Sequence, residues 1–107
     1  MTTPVDPKPA ASVLLVRAAG PGAPEPLEVY MIRRKKTMRF LGGYYAFPGG
    51  KVDAGDAAAE SFARCHGLGV EGAARVLEPD VAVPPLAYWV AAVRELLEES
   101  GVLLACD

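Results

Sequence analysis

The chain has 107 residues, about half of them apolar, which is the size of one small domain and excludes a multidomain reading. Eleven basic residues stand against thirteen acidic ones, so no global field exists to hold nucleic acid or an anionic membrane, and any anion site must be local. Eleven glycines and ten prolines stay below the level of low-complexity disorder, so a folded chain with substantial loops is expected.

Residues 1–9 carry three prolines without apolar periodicity and read as a flexible leader. Ala11–Arg17 is strand-like, and the turn-rich segment 19–26 joins it to a second expected strand at Leu27–Arg33, as in a hairpin. Five cations then fall within seven residues, at Arg33, Arg34, Lys35, Lys36 and Arg39, and form a local basic patch. Tyr44–Phe47 is a short aromatic strand that Pro48-Gly49-Gly50 should stop.

The alanine-rich stretch from Asp56 to Cys65 favours a helix with Asp56 as its N-cap and Gly67 and Gly69 as stops. Residues 68–83 show no clear period. Pro84-Pro85 opens a second helix from about Leu86 to Ser100, closed by Gly101, with Val90, Val93 and Leu97 as its apolar stripe. Residues 102–105 are apolar enough to begin another strand. Cys65 and Cys106 lack CxxC spacing and read as reduced apolar residues, and His66, the one histidine, reads as a surface residue at a helix end. With no signal peptide and no apolar run approaching a bilayer span, a cytoplasmic protein without membrane or nucleic-acid partners is expected.

The chemistry lies in Arg94-Glu95-Leu96-Leu97-Glu98-Glu99-Ser100-Gly101-Val102. Glu95, Glu98 and Glu99 stand at i, i+3 and i+4, so the three carboxylates share one helix face within about a turn. Like charges at this spacing repel, and acids in a last turn oppose the helix dipole, so local stability does not explain them. A hard divalent cation does, because Mg²⁺ takes oxygen ligands from carboxylates, water and substrate phosphates.

This string resembles the C-terminal half of the signature of the Nudix hydrolases, an arginine and glutamate, an aliphatic residue, one residue of any kind, two glutamates, any residue, glycine and an aliphatic. The N-terminal half of that signature is similar to Gly50–Asp56, preceded by Phe47-Pro48-Gly49. Two departures stand out. Asp56 occupies the place of the usual glutamate, and residues 57–93 separate it from Arg94 where the common spacing is seven. The resemblance therefore implies a box at 47–56 and 94–102 split by an insertion, assigned to residues 57–86. A Nudix branch acting on coenzyme A and acyl-CoA carries such an insertion and a GVLL-like ending, as at Gly101–Leu104, and the spacing Arg39-x3-Gly43-x3-Phe47 also resembles it. At Tyr30-Met31-Ile32 the chain departs from that branch.

The resemblance implies an α/β fold, a mixed β-sheet between helices in an α/β/α sandwich, with residues 10–107 forming the N-terminal part of the domain and the C-terminal part incomplete. It implies a diphosphate hydrolase using Mg²⁺ or Mn²⁺ on a small-molecule substrate, with CoA or acyl-CoA leading. The alternatives are a nucleotide or sugar-nucleotide diphosphatase and a non-catalytic binding module. Carried over by position, Glu98 and Glu99 would be principal metal ligands, Glu95 a ligand or the group orienting the attacking water, and the Gly50 or Gly49 carbonyl a further ligand. Arg94 would hold Glu95 or Asp56. Arg39, Arg34 and Lys51 are the candidates for substrate phosphates, and Tyr44, Tyr45 and Phe47 for stacking on adenine or for the core. An open sheet edge would make a homodimer possible.

Overall fold

A computed structural model describes residues 3–37, 42–78 and 82–105. Arg39 and Cys106 lie outside the described residues. Six short strands, β1 (Ala10–Ser12), β2 (Val16–Ala18), β3 (Leu27–Val29), β4 (Ile32–Arg33), β5 (Tyr45–Ala46) and β6 (Gly49–Lys51), precede a 3₁₀ turn (Ala54–Ala57) and three helices, α1 (Ala59–Ala63), α2 (Val70–Val76) and α3 (Leu86–Ser100). The class is α/β. The strands form three antiparallel pairs, β1 with β6, β2 with β3 and β4 with β5.

The expected strand at 11–17 is divided because its partner changes along its length. Ala11 faces Gly50, the Val13 amide donates to the Pro48 carbonyl at 2.7 Å, and by Leu15 the carbonyl accepts from Tyr30 at 2.9 Å. The expected strand at 27–33 is divided in the same way, β3 pairing with β2 and β4 with β5. Gly49 and Gly50 belong to a strand instead of stopping one. A Cβ on Gly49 would collide with the Ala11 carbonyl and come within 2.8 Å of Ser12 Cα, so glycine here permits a close backbone approach.

Helix α3 has the bounds expected from Pro84-Pro85 and Gly101. Gly101 adopts the left-handed conformation, φ 77°, and its amide donates to the Leu97 carbonyl at 2.8 Å. Its buried face differs from expectation. Leu86, Ala87, Ala91 and Leu96 are buried, Val90 and Val93 are half-buried, and Leu97 is exposed. The helix packs against β1, β6 and the 3₁₀ turn, and also meets α1 and α2.

The helix expected at 56–65 is shortened to α1 because Asp53–Ala57 closes into the 3₁₀ turn. Asp53, not Asp56, caps that turn, and Ala58 precedes α1. Helix α2, in the stretch without a clear period, contributes buried Ala73 to the core. Residues 102–105 form no strand. Among the described residues no helix is long and apolar enough to cross a membrane. The radius of gyration, 16.3 Å, exceeds the roughly 13 Å of a compact chain of this length. On the β2–β3 ribbon Val16, Leu27 and Val29 are exposed.

Candidate functional site

The close approach of β6 to the last two turns of α3 brings the two halves of the motif together. Arg94 is the junction. Its Nε donates to Asp56 Oδ1 at 2.9 Å and its Nη2 to Asp56 Oδ2 at 3.0 Å, a two-point pair across the 57–93 segment. Nη2 also donates to the Lys51 carbonyl at 3.0 Å, and Nη1 reaches Glu95 Oε1 at 3.0 Å and Glu98 Oε2 at 3.1 Å. Both groups named as possible partners of Arg94, Glu95 and Asp56, are therefore held at once.

The shorter side chain of Asp56 reaches Arg94 because the 3₁₀ turn carries it there. The Asp53 amide donates to Asp56 Oδ2 at 2.7 Å, and the Asp56 amide donates to the Asp53 carbonyl at 3.0 Å. Burial by itself would raise the Asp56 pKa. The Arg94 hydrogen bonds, the Asp53 amide and the Arg94 charge together outweigh that effect and hold the carboxyl below its ordinary value. In return, chiefly through the Asp56 bond, Arg94 is held more firmly protonated than a free guanidinium.

Asp53 is the group that sequence reasoning missed. Its Oδ2 lies 3.4 Å from Arg94 Nη2, adding another carboxylate to the arginine's surroundings. The signal was present in the spacing Asp53-x-x-Asp56, which is that of a capping box with aspartate in both places.

Glu95 and Glu99, one turn apart on α3, lie against the Gly49-Gly50 backbone. The Gly49 amide donates to Glu99 Oε1 at 3.3 Å. A Cβ on Gly50 would come within 2.5 Å of Glu95 Oε1 and 2.7 Å of Oε2, so a side chain here would move this carboxylate. Glu99 is pushed above the ordinary carboxyl pKa, first by burial and then by the adjoining Glu95 carboxylate. The Gly49 amide and the positive charge of Arg34 act in the opposite direction.

Of the three glutamates, then, Glu95 and Glu98 share Arg94 Nη1, and Glu95 also adjoins Glu99. Among the described residues no three histidine, cysteine, aspartate or glutamate side chains form a group able to hold a metal ion. The donor chemistry nonetheless suits a hard divalent cation. Glu95 and Glu99 offer carboxylate oxygens, the donors such an ion takes. Arg34 is half-buried, and its charge acts on Glu99. Lys51 is exposed and meets the site through its backbone carbonyl.

No protein-family model matches the chain. It is similar to the acyl-coenzyme A diphosphatase NUDT19 of Gallus gallus, 34% identical in a match covering 89% of this chain and 32% of that protein. It is also similar to the crystal structure of a NUDIX hydrolase from Alicyclobacillus acidocaldarius, 41% identical with a TM-score of 0.67, over 92% of this chain and 39% of the other. The chain thus spans about a third of the length of the curated relative and two fifths of the solved structure.

Proposed function

Because the chain belongs to the Nudix hydrolase family, we propose that it carries the metal-binding and arginine-clamped part of a diphosphate hydrolase acting on coenzyme A or acyl-CoA. The observation that carries this reading is the convergence of Asp56, Glu95 and Glu98 on Arg94, with Glu95 and Glu99 paired beneath Gly49-Gly50. The substrate class is supported by the likeness to a protein described as an acyl-coenzyme A diphosphatase.

Glu95, Glu98 and Glu99, with the Gly50 carbonyl, are the residues that would hold Mg²⁺ or Mn²⁺. Such an ion supplies charge neutralisation at the diphosphate oxygens and acidifies water. Arg94 fixes the direction of Glu95 and Glu98, and Asp56 fixes Arg94, so these two are positioning residues. Glu95 also has the alternative role of orienting the attacking water. Arg34, whose charge acts on Glu99, is a candidate cation for substrate phosphate, with Arg39 and Lys51 as further candidates.

Incubation of the purified protein with CoA, acetyl-CoA and a panel of nucleotides and sugar nucleotides, with Mg²⁺, Mn²⁺ or EDTA, tests the reading. Metal-dependent release of the two phosphate-ended halves of CoA is expected, with Glu99→Gln reducing the rate on the order of 100-fold. Cleavage of nucleotides without cleavage of CoA would assign the same site to the nucleotide pool. Full activity in Glu99→Gln would remove the catalytic assignment.

A further inference from the structure

The Arg94 guanidinium has more anionic oxygens around it than hydrogens to give them. Its five N–H groups are all committed: Nε to Asp56 Oδ1, Nη2 to Asp56 Oδ2 and the Lys51 carbonyl, and Nη1 to Glu95 Oε1 and Glu98 Oε2. Asp53 Oδ2, 3.4 Å from Nη2, is a further oxygen with no N–H left to bond it. It approaches the nitrogen that serves neither Glu95 nor Glu98.

The two sides of the guanidinium have different duties. On the Nε and Nη2 side the partners belong to β6 and the 3₁₀ turn, and they only hold Arg94 in place. On the Nη1 side the partners, Glu95 and Glu98, are two of the residues that would hold a divalent cation. Once those carboxylates serve such an ion, Nη1 has to share them with it, and the guanidinium stands beside two added positive charges. An anion on the opposite side then has to balance Arg94. Asp56 has no more to give, because both its oxygens already bond Arg94 and Oδ2 also accepts from the Asp53 amide at 2.7 Å. The Asp53 carboxylate is in position: it is fixed to the same turn as Asp56, and at 67% exposure its side chain has room to close on Nη2.

We infer that Asp53 is a positioning residue, which draws the Arg94 guanidinium toward the 3₁₀ turn when Glu95 and Glu98 take up a divalent cation, and so raises the affinity of the site for that ion without touching it. This rests on the metal-dependent reading of the site and deepens it by naming the carboxylate that tunes it.

The test is calorimetric titration of Mn²⁺ into the full-length protein without substrate. Asp53 also stands at the N-cap of the 3₁₀ turn, so the variants separate charge from capping. Asp53→Asn keeps a good cap and removes the charge, whereas Asp53→Glu keeps the charge on a poorer cap. Asp53→Asn is expected to weaken Mn²⁺ binding about 3–5-fold, with Asp53→Glu within about 2-fold of the parent. The reverse order of the two variants assigns Asp53 to the cap alone and overturns the inference, as does equal binding by all three proteins. A second readout follows Arg94 itself. Its Nε–H proton, identified by nuclear magnetic resonance through its loss in Arg94→Lys, should exchange with water faster in Asp53→Asn than in the parent when Mg²⁺ is present; equal exchange means that Asp53 acts only as a distant charge, and the positioning role falls. Absence of Mn²⁺ binding by the parent overturns this inference together with the metal reading. Metal-dependent hydrolysis with Asp53-independent Mn²⁺ binding sinks this inference alone. Asp53-dependent Mn²⁺ binding without hydrolysis of any diphosphate leaves it standing and sinks the hydrolase reading.

Discussion

Two arginine–carboxylate pairs of similar length behave as different physical objects. Arg17 Nε lies 2.7 Å from Glu28 Oε2 on the β2–β3 ribbon, with side chains 81% and 48% exposed. Arg94 Nε lies 2.9 Å from Asp56 Oδ1, but these side chains are 25% and 3% exposed. The first pair joins directly opposed residues of one ribbon, is screened by water, and is of a kind worth at most about 1 kcal/mol. The second makes two parallel bonds across a long insertion, shares its guanidinium with Glu95, Glu98 and the Lys51 carbonyl, and leaves a buried charge behind if broken. Contact length ranks the pairs in the wrong order; burial and shared partners rank them correctly.

The largest expected effect follows from that ranking. Arg94→Ala should destabilise the protein by about 3–5 kcal/mol, because Asp56 is left buried without its cation, and should abolish activity through loss of the Glu95 and Glu98 directions. Urea unfolding checks the first part. A midpoint shift no larger than that of Arg17→Ala would erase the distinction between the pairs. Next in size is Gly50→Ala, which places a methyl group against the end of the Glu95 side chain and should cost about 1 kcal/mol while displacing Glu95 from the site. A variant with parental stability and turnover would show that Glu95 has room the geometry does not display.

The same contrast marks what was legible in the sequence. The bounds of α3 were, because Pro84-Pro85 and Gly101 act locally, and so was the common surface of the three glutamates, which follows from helix pitch. The rotation of α3 was not. Its first eight residues, Leu86 to Val93, are all apolar or aromatic, so periodicity does not choose a face; the packing of Ala87 and Ala91 and the contacts of Arg94 do. The sharing of Arg94 by Glu95 and Glu98 also depends on a guanidinium held by Asp56 and the Lys51 carbonyl, which are distant in the chain. Strand breaks at 13–15 and 30–31 reflect changes of partner, which no local pattern encodes. Helix α2 has only seven residues, too few to display a period.

Acid titration sharpens the contrast at a smaller scale. Asp56 has a folded pKa below its unfolded value near 3.9, so its contribution is fully present above that value and is lost as pH falls through the lower folded one. Asp56→Asn should remove this part of the acid slope; equal slopes in the parent and Asp56→Asn would contradict the assignment. Glu99 has the opposite sign. Its folded pKa is raised, so the charged form opposes folding at neutral pH and the penalty lessens as pH falls toward the carboxyl range. Glu99→Gln is therefore expected to gain a little stability at pH 7 while losing activity, measurable as a small rise in melting temperature. A fall would show that charge at Glu99 supports the fold.

The smallest expected effect belongs to the ribbon pair. A double-mutant cycle of Arg17→Ala and Glu28→Ala should give a coupling below about 1 kcal/mol, declining toward zero in 1 M salt, where the Debye length is near 3 Å. The comparable cycle at Arg94 and Asp56 should resist salt, because neither its two-point geometry nor the burial of Asp56 depends on the ion atmosphere. A large, salt-insensitive coupling at Arg17–Glu28 would mean that water does not reach the pair in solution. Since Val16, Leu27 and Val29 lie exposed beside it, that result would require the β2–β3 ribbon to be covered in the working protein, and the difference between the two pairs would then be one of covering and not of design.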